Sequence, residues 1–274
     1  RFLIKIHGLL IILSLKMIRK FCHTQPKVLS FVEEMQKNFI PTNNFQRTIL
    51  SVGSAAVALL NPYRGDMIAC LGEVTGESSL KYMREKMLET TEGAKILTEQ
   101  PRINSQTVCF ETLGKMPERS VGRVYADFMT DNNITADSRL PVQFISDPEL
   151  AYVMQRYREV HDLVHAILFM KTTMLGEVTV KWIEGIQTKL PMCVGGGIWG
   201  AARLKPKHRQ LYLKHYLPWA ITTGNNAKFL QGMKCIAAYS FLLVMQQMSV
   251  SVSASAEVPR AFQHPFLLLF PQLL

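Results

Sequence analysis

The chain is poor in what a secreted or membrane-spanning protein would need. Its 274 residues include five cysteines, Cys22, Cys70, Cys109, Cys193 and Cys235, each standing alone without a Cys-x-x-Cys pair. A dispersed, odd set argues for thiols in a reducing compartment and against a disulfide framework. No apolar run reaches the ~18–20 residues that a spanning helix needs. Charged residues are only 19% of the chain, and acids are the scarcer kind: 21 Asp and Glu stand against 31 Lys and Arg, for a net charge of +10. That balance fits nucleic acid or an anionic membrane face. No zinc knuckle, aromatic RNA-binding signature or helix-turn-helix word is present, so nucleic acid is not expected as a partner. The glycine run Val194 to Ala202 lacks the Lys-Ser/Thr of a phosphate loop. Its Gly196-x3-Gly200 spacing reads instead as a helix packed closely on a neighbour.

What is present is apolar and helical. Hydrophobic residues make up 48% of the chain and 14 are Met, enough for one large core and suited to handling a greasy ligand. The periodicity predicts helices over Phe45–Leu60, from Ser78 or Ser79 to Glu92, over Glu118–Met129, over Asp147–Met170 and over Met174–Lys189, with an interrupted helical region over Leu211–Phe229. Met67–Leu71 reads as a short helix or strand. Gly72–Gly76 reads as a loop, and Gly93–Pro117 as a linker with one short element. The fold class expected is all-α, a single multi-helix domain.

One stretch concentrates the chemistry. His161 and His165 lie about 40° apart on one helix face, and Asp162 falls within an arc of about 100° with them. Asp147 is a suitable N-cap for that helix and Pro148 suits its first position. Glu177 follows a break around Lys171–Thr173 and opens a returning helix, which brings a fourth ligand from a separate element. Two nitrogens and two oxygens suit zinc, with manganese or ferrous iron open on ligand type. Bare His-x3-His spacing is more often surface or core filling, but the apolar neighbours Leu163, Val164, Ile167 and Leu168 make isolated charge costly here. Asp in place of Glu separates the stretch from the His-Glu-x-x-His peptidases. Glu184, two turns beyond Glu177, is expected to face solvent, with a role behind the ligands as the alternative. Arg139 is expected to be a surface or capping residue, with pairing to a substrate anion as the alternative.

His161-Asp162-x-x-His165-x11-Glu177 resembles the zinc signature of the fourth-numbered family in ubiquinone (coenzyme Q) biosynthesis. Gly176-Glu177-Val178-x-Val180-Lys181-Trp182, Gln187-Thr188-x-Leu190-Pro191-Met192, Asn61-Pro62-Tyr63-Arg64-Gly65-Asp66-Met67 and Leu217-Pro218-Trp219-Ala220 carry the same resemblance. It implies a zinc ion on His161, Asp162, His165 and Glu177, and a metal site on two adjacent helices. It implies a peripheral protein on the matrix side of the inner mitochondrial membrane, partnered by other coenzyme Q biosynthesis proteins in a multisubunit complex. The implied reaction is ring decarboxylation of 4-hydroxy-3-methoxy-5-polyprenylbenzoate to 2-methoxy-6-polyprenylphenol. The rival is a non-catalytic lipid-binding scaffold with structural zinc.

The expected organisation is a targeting or N-terminal extension over 1–36, the helical domain over 37–230 and an atypical C-terminal segment over 231–274, partly disordered from about Ser249. Residues 1–32 are basic and without acid, which reads as a mitochondrial targeting segment, with a secretory signal as the rival because of the run Leu9 to Leu13. Few Ser or Arg residues make a poor transit peptide, and the resemblance of the rest of the chain decides for the mitochondrion. Arg203, Lys205, Lys207, His208, Arg209 and Lys214 form a basic stretch, read equally as a solvated face or as a patch for an anionic membrane or pathway partner.

Overall fold

The computed structural model describes residues 30–118 and 120–233. Of the targeting or N-terminal extension expected over 1–36, residues 1–29 lie outside them, as do residues 234–274 of the C-terminal segment expected over 231–274, including the tail from Ser249. Among the described residues every regular element is helical: α1 (Phe31–Asn38), α2 (Asn44–Leu60), α3 (Gly65–Thr75), α4 (Glu77–Leu88), α5 (Thr91–Glu99), α6 (Phe110–Leu113), α7 (Val121–Asp131), α8 (Pro148–Ile167), α9 (Met174–Thr188), α10 (Pro191–Ala202), α11 (Pro206–Leu211) and α12 (Leu217–Asn226). Short 3-10 turns at Ala136–Ser138 and Leu230–Gly232 and a π-turn at Tyr212–Tyr216 complete them. α1 starts on a capping box between Ser30 and Glu33 and buries Phe31 and Met35, so the boundary expected at residue 36 falls inside a helix packed on the core.

α8 organises the fold. Asp147 accepts from the backbone N–H of Glu149 (2.9 Å) and Leu150 (3.0 Å), and Pro148 costs no hydrogen bond at the first turn. Every residue from Leu150 to Ile167 is buried. The first half of α8 packs with α1, α4 and α5 around Tyr152, Met154, Leu80, Met83 and Ile96. Its second half packs with α7 and α9 around Leu163, Val164, Tyr125 and Ile183. One helix thus runs through both apolar clusters and makes them a single domain.

Two expectations need correction. Gly72–Gly76 is not a loop, because α3 continues to Thr75. A Cβ on Gly72 would come 2.5 Å from Met192 Sδ, so this glycine permits α10 to approach rather than turning the chain. The expected linker 93–117 holds α6 and all but the first two residues of α5, and the helix expected from Ser78 or Ser79 to Glu92 runs instead from Glu77 to Leu88. Thr90 caps α5 by accepting from Gly93 N–H at 3.0 Å, a start signal masked by the glycine beside it. The glycine-rich helix α10 does pack closely: a Cβ on Gly197 would lie 3.0 Å from Trp182, and one on Gly200 2.6 Å from Val178.

The connection from α8 to α9 is tight. Phe169 adopts a left-handed φ of 52°. Phe169 N–H reaches Ala166 O (3.1 Å) and Met170 N–H reaches His165 O (2.9 Å), which is the Schellman arrangement with Phe in the place usually taken by glycine. Thr173 then caps α9, and a Cβ on Gly176 would sit 2.0 Å from Lys171 O. Gly176→Ala is therefore expected to push α9 off this turn. Urea unfolding should show a loss of about 1–3 kcal/mol, the usual cost of overpacking.

Candidate metal centre

His161 and His165 project from successive turns of α8, and Glu177 meets them from the first turn of α9. One ligand atom from each of the three lies within 4.8 Å of the others. His161 Nε2 is 3.6 Å from Glu177 Oε2, and His165 Nε2 is 3.4 Å from Glu177 Oε1. These separations exceed the ~2.7–3.2 Å of an N–H···O hydrogen bond. They match the edge of a zinc tetrahedron, about 3.3 Å for ligands roughly 2.0–2.1 Å from the ion.

The other ring nitrogens explain why this cluster is rich in lone pairs. His165 Nδ1 lies 3.1 Å from Met170 O, an acceptor delivered by the Schellman turn. A carbonyl only accepts, so Nδ1 carries the proton and Nε2 is left bare. That Nε2 is buried and has no hydrogen-bond partner. Phe128 of α7 stacks on the His165 ring at 5.9 Å, fixing its plane. His161 Nδ1 lies 2.7 Å from Glu184 Oε1, which likewise turns Nε2 toward Glu177. Two imidazole lone pairs and a carboxylate then face one another, and a divalent cation satisfies all three.

Glu184 is not solvent-facing as expected. It is buried on the face of α9 shared with Glu177, and it accepts from Tyr157 OH (2.7 Å) and Lys181 Nζ (2.7 Å) as well as from His161. Lys181 Nζ also donates to Tyr157 OH at 2.9 Å. The carboxylate–histidine pair is the arrangement that orients metal-binding imidazoles in general. Cys193 closes this pocket of groups, 3.1 Å from Tyr157 OH, and burial pushes its thiol up to about 12. The two-turn spacing to Glu177 was legible. The burial of α9's face was not.

Asp162 stands apart from the three. Its carboxylate receives the Arg139 guanidinium in a two-pronged pair, with Nε at 3.0 Å from Oδ2 and Nη2 on Oδ1. Arg139 is therefore a member of the site, where a surface or capping role was expected. It lies at the open edge with its side chain 33% exposed, against 4% for Asp162.

The charges are mutually dependent. Burial favours neutral Glu177, yet His161 and His165 hold its carboxyl well below the ordinary value of 4.5. Burial likewise opposes the Glu184 anion, and His161 and Lys181 overcome it. For His161, burial lowers the pKa and Glu184 more than restores it, giving a value above the ordinary 6.5. The depressed carboxylates contribute stability that is complete above their ordinary 4.5 and is lost as pH falls through their folded values. The raised imidazole contributes in the opposite sense, below 6.5 and lost as pH rises. The metal-free protein should thus lose stability below a pH of about 4.5, with a shallower acid limb in Glu184→Gln, measured as the urea midpoint against pH. The same variant should weaken zinc binding about 10–100-fold in a chelator competition.

The family model for the coenzyme Q (ubiquinone) biosynthesis protein Coq4 matches residues 36–236. A Bombyx mori relative named as a mitochondrial ubiquinone biosynthesis protein COQ4 homolog is 73% identical over 220 residues, covering 80% of this chain and 85% of that one. An Anopheles gambiae relative of the same name is 57% identical over 203 residues, covering 74% and 72%. A crystal structure of a Nostoc punctiforme protein, described as a candidate ubiquinone biosynthesis protein, superposes with a TM-score of 0.59. Its 16% identity, over 76% of this chain and 99% of that one, supports the fold alone. By family match and by these identities, the chain belongs to the Coq4 family of coenzyme Q (ubiquinone) biosynthesis proteins.

Proposed function

We propose that this chain binds zinc through His161, His165 and Glu177, with Asp162, the remaining residue of the motif, held by Arg139, and removes the ring carboxyl group from 4-hydroxy-3-methoxy-5-polyprenylbenzoate to give 2-methoxy-6-polyprenylphenol. The observation that carries this reading is the buried, unpartnered Nε2 of His165 facing the Glu177 carboxylate. The donor chemistry fits the ion: two imidazole nitrogens face one carboxylate, each 3.4–3.6 Å from one of its two oxygens, and one ligand atom from each residue lies within 4.8 Å of the others.

Three protein donors leave a coordination position open, as in catalytic rather than structural zinc sites. Asp162 would close that position, and Arg139 holds it away. Zinc bound here supplies Lewis acidity toward a phenolate or carboxylate oxygen. The protein's own part is to hold the ring. Glu184 and Met170 O fix the two imidazoles, and Glu177 presents the partly exposed side of the cluster to an incoming ligand. The reaction balances as one proton taken up at the ring carbon for each carbon dioxide released. The para hydroxyl group of the substrate feeds electrons to that carbon.

The same reading places the protein in mitochondria, peripheral to the inner membrane on its matrix side, in contact with other coenzyme Q biosynthesis proteins. Among the described residues no helix is long and apolar enough to cross a membrane. α2 supports surface attachment. It contains no acid, and its one charged residue, Arg47, turns inward to Phe144 O (3.0 Å). Phe45, Ile49, Val52, Leu59 and Leu60 are exposed along it, at 73%, 55%, 67%, 41% and 85%. Trp199 and Ile198 on α10 are exposed as well, ahead of the exposed basic residues Lys205, Lys207, His208 and Arg209. An apolar face with basic neighbours suits anionic lipid. Ile49→Asp with Val52→Asp should reduce co-sedimentation with anionic vesicles at least about tenfold, since each substitution places a charge against lipid.

The second reading is a lipid-binding scaffold whose zinc only ties α8 to α9, and it requires Asp162 to leave Arg139 and close the site as a fourth donor. Purified protein with the polyprenylated acid separates the two. The enzyme reading expects carbon dioxide and phenol from wild type and neither from His161→Ala, which should also lose the metal. Full zinc occupancy with no turnover and normal assembly of the pathway proteins favours the scaffold.

A further inference from the structure

Arg139 is held with more care than a surface arginine requires. The segment that follows it is pinned by side chains from three other helices. Arg158 of α8 donates to Leu140 O at 3.0 Å. Gln155 of α8 accepts from Val142 N–H at 3.2 Å. Glu73 of α3 accepts from Gln143 N–H (2.8 Å) and Phe144 N–H (2.6 Å), and Arg47 of α2 donates to Phe144 O. On the other side, Ser138 N–H closes the 3-10 turn on Thr135 O (3.1 Å), and Asp137 of that turn accepts from Ser105 N–H (2.9 Å). The backbone on both sides of Arg139 is therefore fixed, while its side chain stays 33% exposed. Its partner Asp162 is buried and adjoins His161 in sequence. A rigidly mounted, accessible guanidinium beside a metal-donor cluster is how proteins capture a planar carboxylate.

We propose that Arg139 is the carboxylate-binding residue of the site, and that Asp162 is its internal competitor, occupying the guanidinium until the carboxylate of an aryl acid replaces it. The proposal rests on the reading that the ligand is an aryl carboxylate, and it adds the recognition residue and the displaced partner. The exchange keeps the guanidinium paired in both states, while the Asp162 carboxylate it frees is only 4% exposed, so the ligand's pair with Arg139 must outweigh the pair that Asp162 gives up. Arg139 presents two parallel N–H groups to a carboxylate, a geometry that a lysine does not reproduce.

The competition makes a prediction of unusual sign. A merely structural ion pair is weakened by losing either partner. Here, removing the charge of Asp162 should strengthen ligand binding and removing the fork of Arg139 should weaken it. The test uses the whole chain after chelator treatment, with 4-hydroxy-3-methoxybenzoate as the probe and its neutral carboxamide as the control, followed by ligand-observed NMR titration. Asp162→Asn, which still accepts a hydrogen bond from Arg139, should bind the acid about tenfold tighter than wild type, as expected when a charged competitor becomes a neutral one. Arg139→Lys keeps the charge opposite Asp162 but should bind the acid at least about tenfold more weakly. The carboxamide should not discriminate among the three proteins. Circular dichroism and urea midpoints establish that each variant is folded, and Arg139→Gln serves as a further loss-of-binding variant if the lysine protein is not. Asp162→Asn binding no tighter than wild type, or Arg139→Lys binding equally well, overturns the proposal. Because the titration is done without metal, failure here with intact zinc binding and turnover removes only the role of Arg139. Absence of turnover with the predicted titration leaves the exchange standing and removes the enzymatic reading.

Discussion

Burial of a polar helix is the constraint on which the structure depends. α8 carries Arg156, Arg158, Glu159, His161, Asp162 and His165 into the interior, all of them less than a tenth exposed. Ionised groups in such surroundings need partners, and leaving one unpaired costs several kcal/mol, about 3–5 by experience with broken buried pairs. The rest of the chain supplies them. Glu73 of α3 takes Arg158, Arg102 takes Glu159 at 2.8 Å, and the carbonyls of Gln231 and Met233 take Arg156 at 2.6 Å each. These contacts reach from residue 73 to residue 233, so the pairing of one helix fixes the relative placement of most of the domain.

The candidate metal centre is where this pairing stops short. Every other buried charge on α8 meets an opposite charge or a carbonyl. His161 and His165 instead meet protein acceptors on one nitrogen and a third acceptor, Glu177, on the other. The fold spends its hydrogen bonds on the outer faces of the two rings and leaves the inner faces to converge. An arrangement of this kind has a use for a cation and little merit without one, since a hydrophobic replacement would pack as well.

The turn between α8 and α9 couples this chemistry to the backbone. Phe169 takes a left-handed conformation that costs a bulky residue more than glycine, of order 1–2 kcal/mol. In return, Met170 O is placed against His165 Nδ1, and Gly176 allows α9 to begin close enough for Glu177 to reach both rings. The geometry of the donors is therefore set by a loop that contains none of them.

Much of this was legible in the sequence. Helical period places His161 and His165 on one face, Asp147-Pro148 marks where their helix starts, and the break before Glu177 marks a return. The glycine spacing of α10 announced a close helix contact. Local signals carried these because they depend on residues a few positions apart. Glu184 and Arg139 were misjudged, and Glu73 was passed over, for one shared reason. Whether an isolated charged side chain is solvent-facing or buried against a partner depends on what packs over it, and the partners lie 85, 23 and 23 residues away. The sequence by itself determined the donor types, their helical register and the all-α fold. Only the tertiary structure decided that Asp162 faces Arg139 rather than the other donors, and that Glu184 stands behind His161, because both follow from long-range burial and not from local spacing.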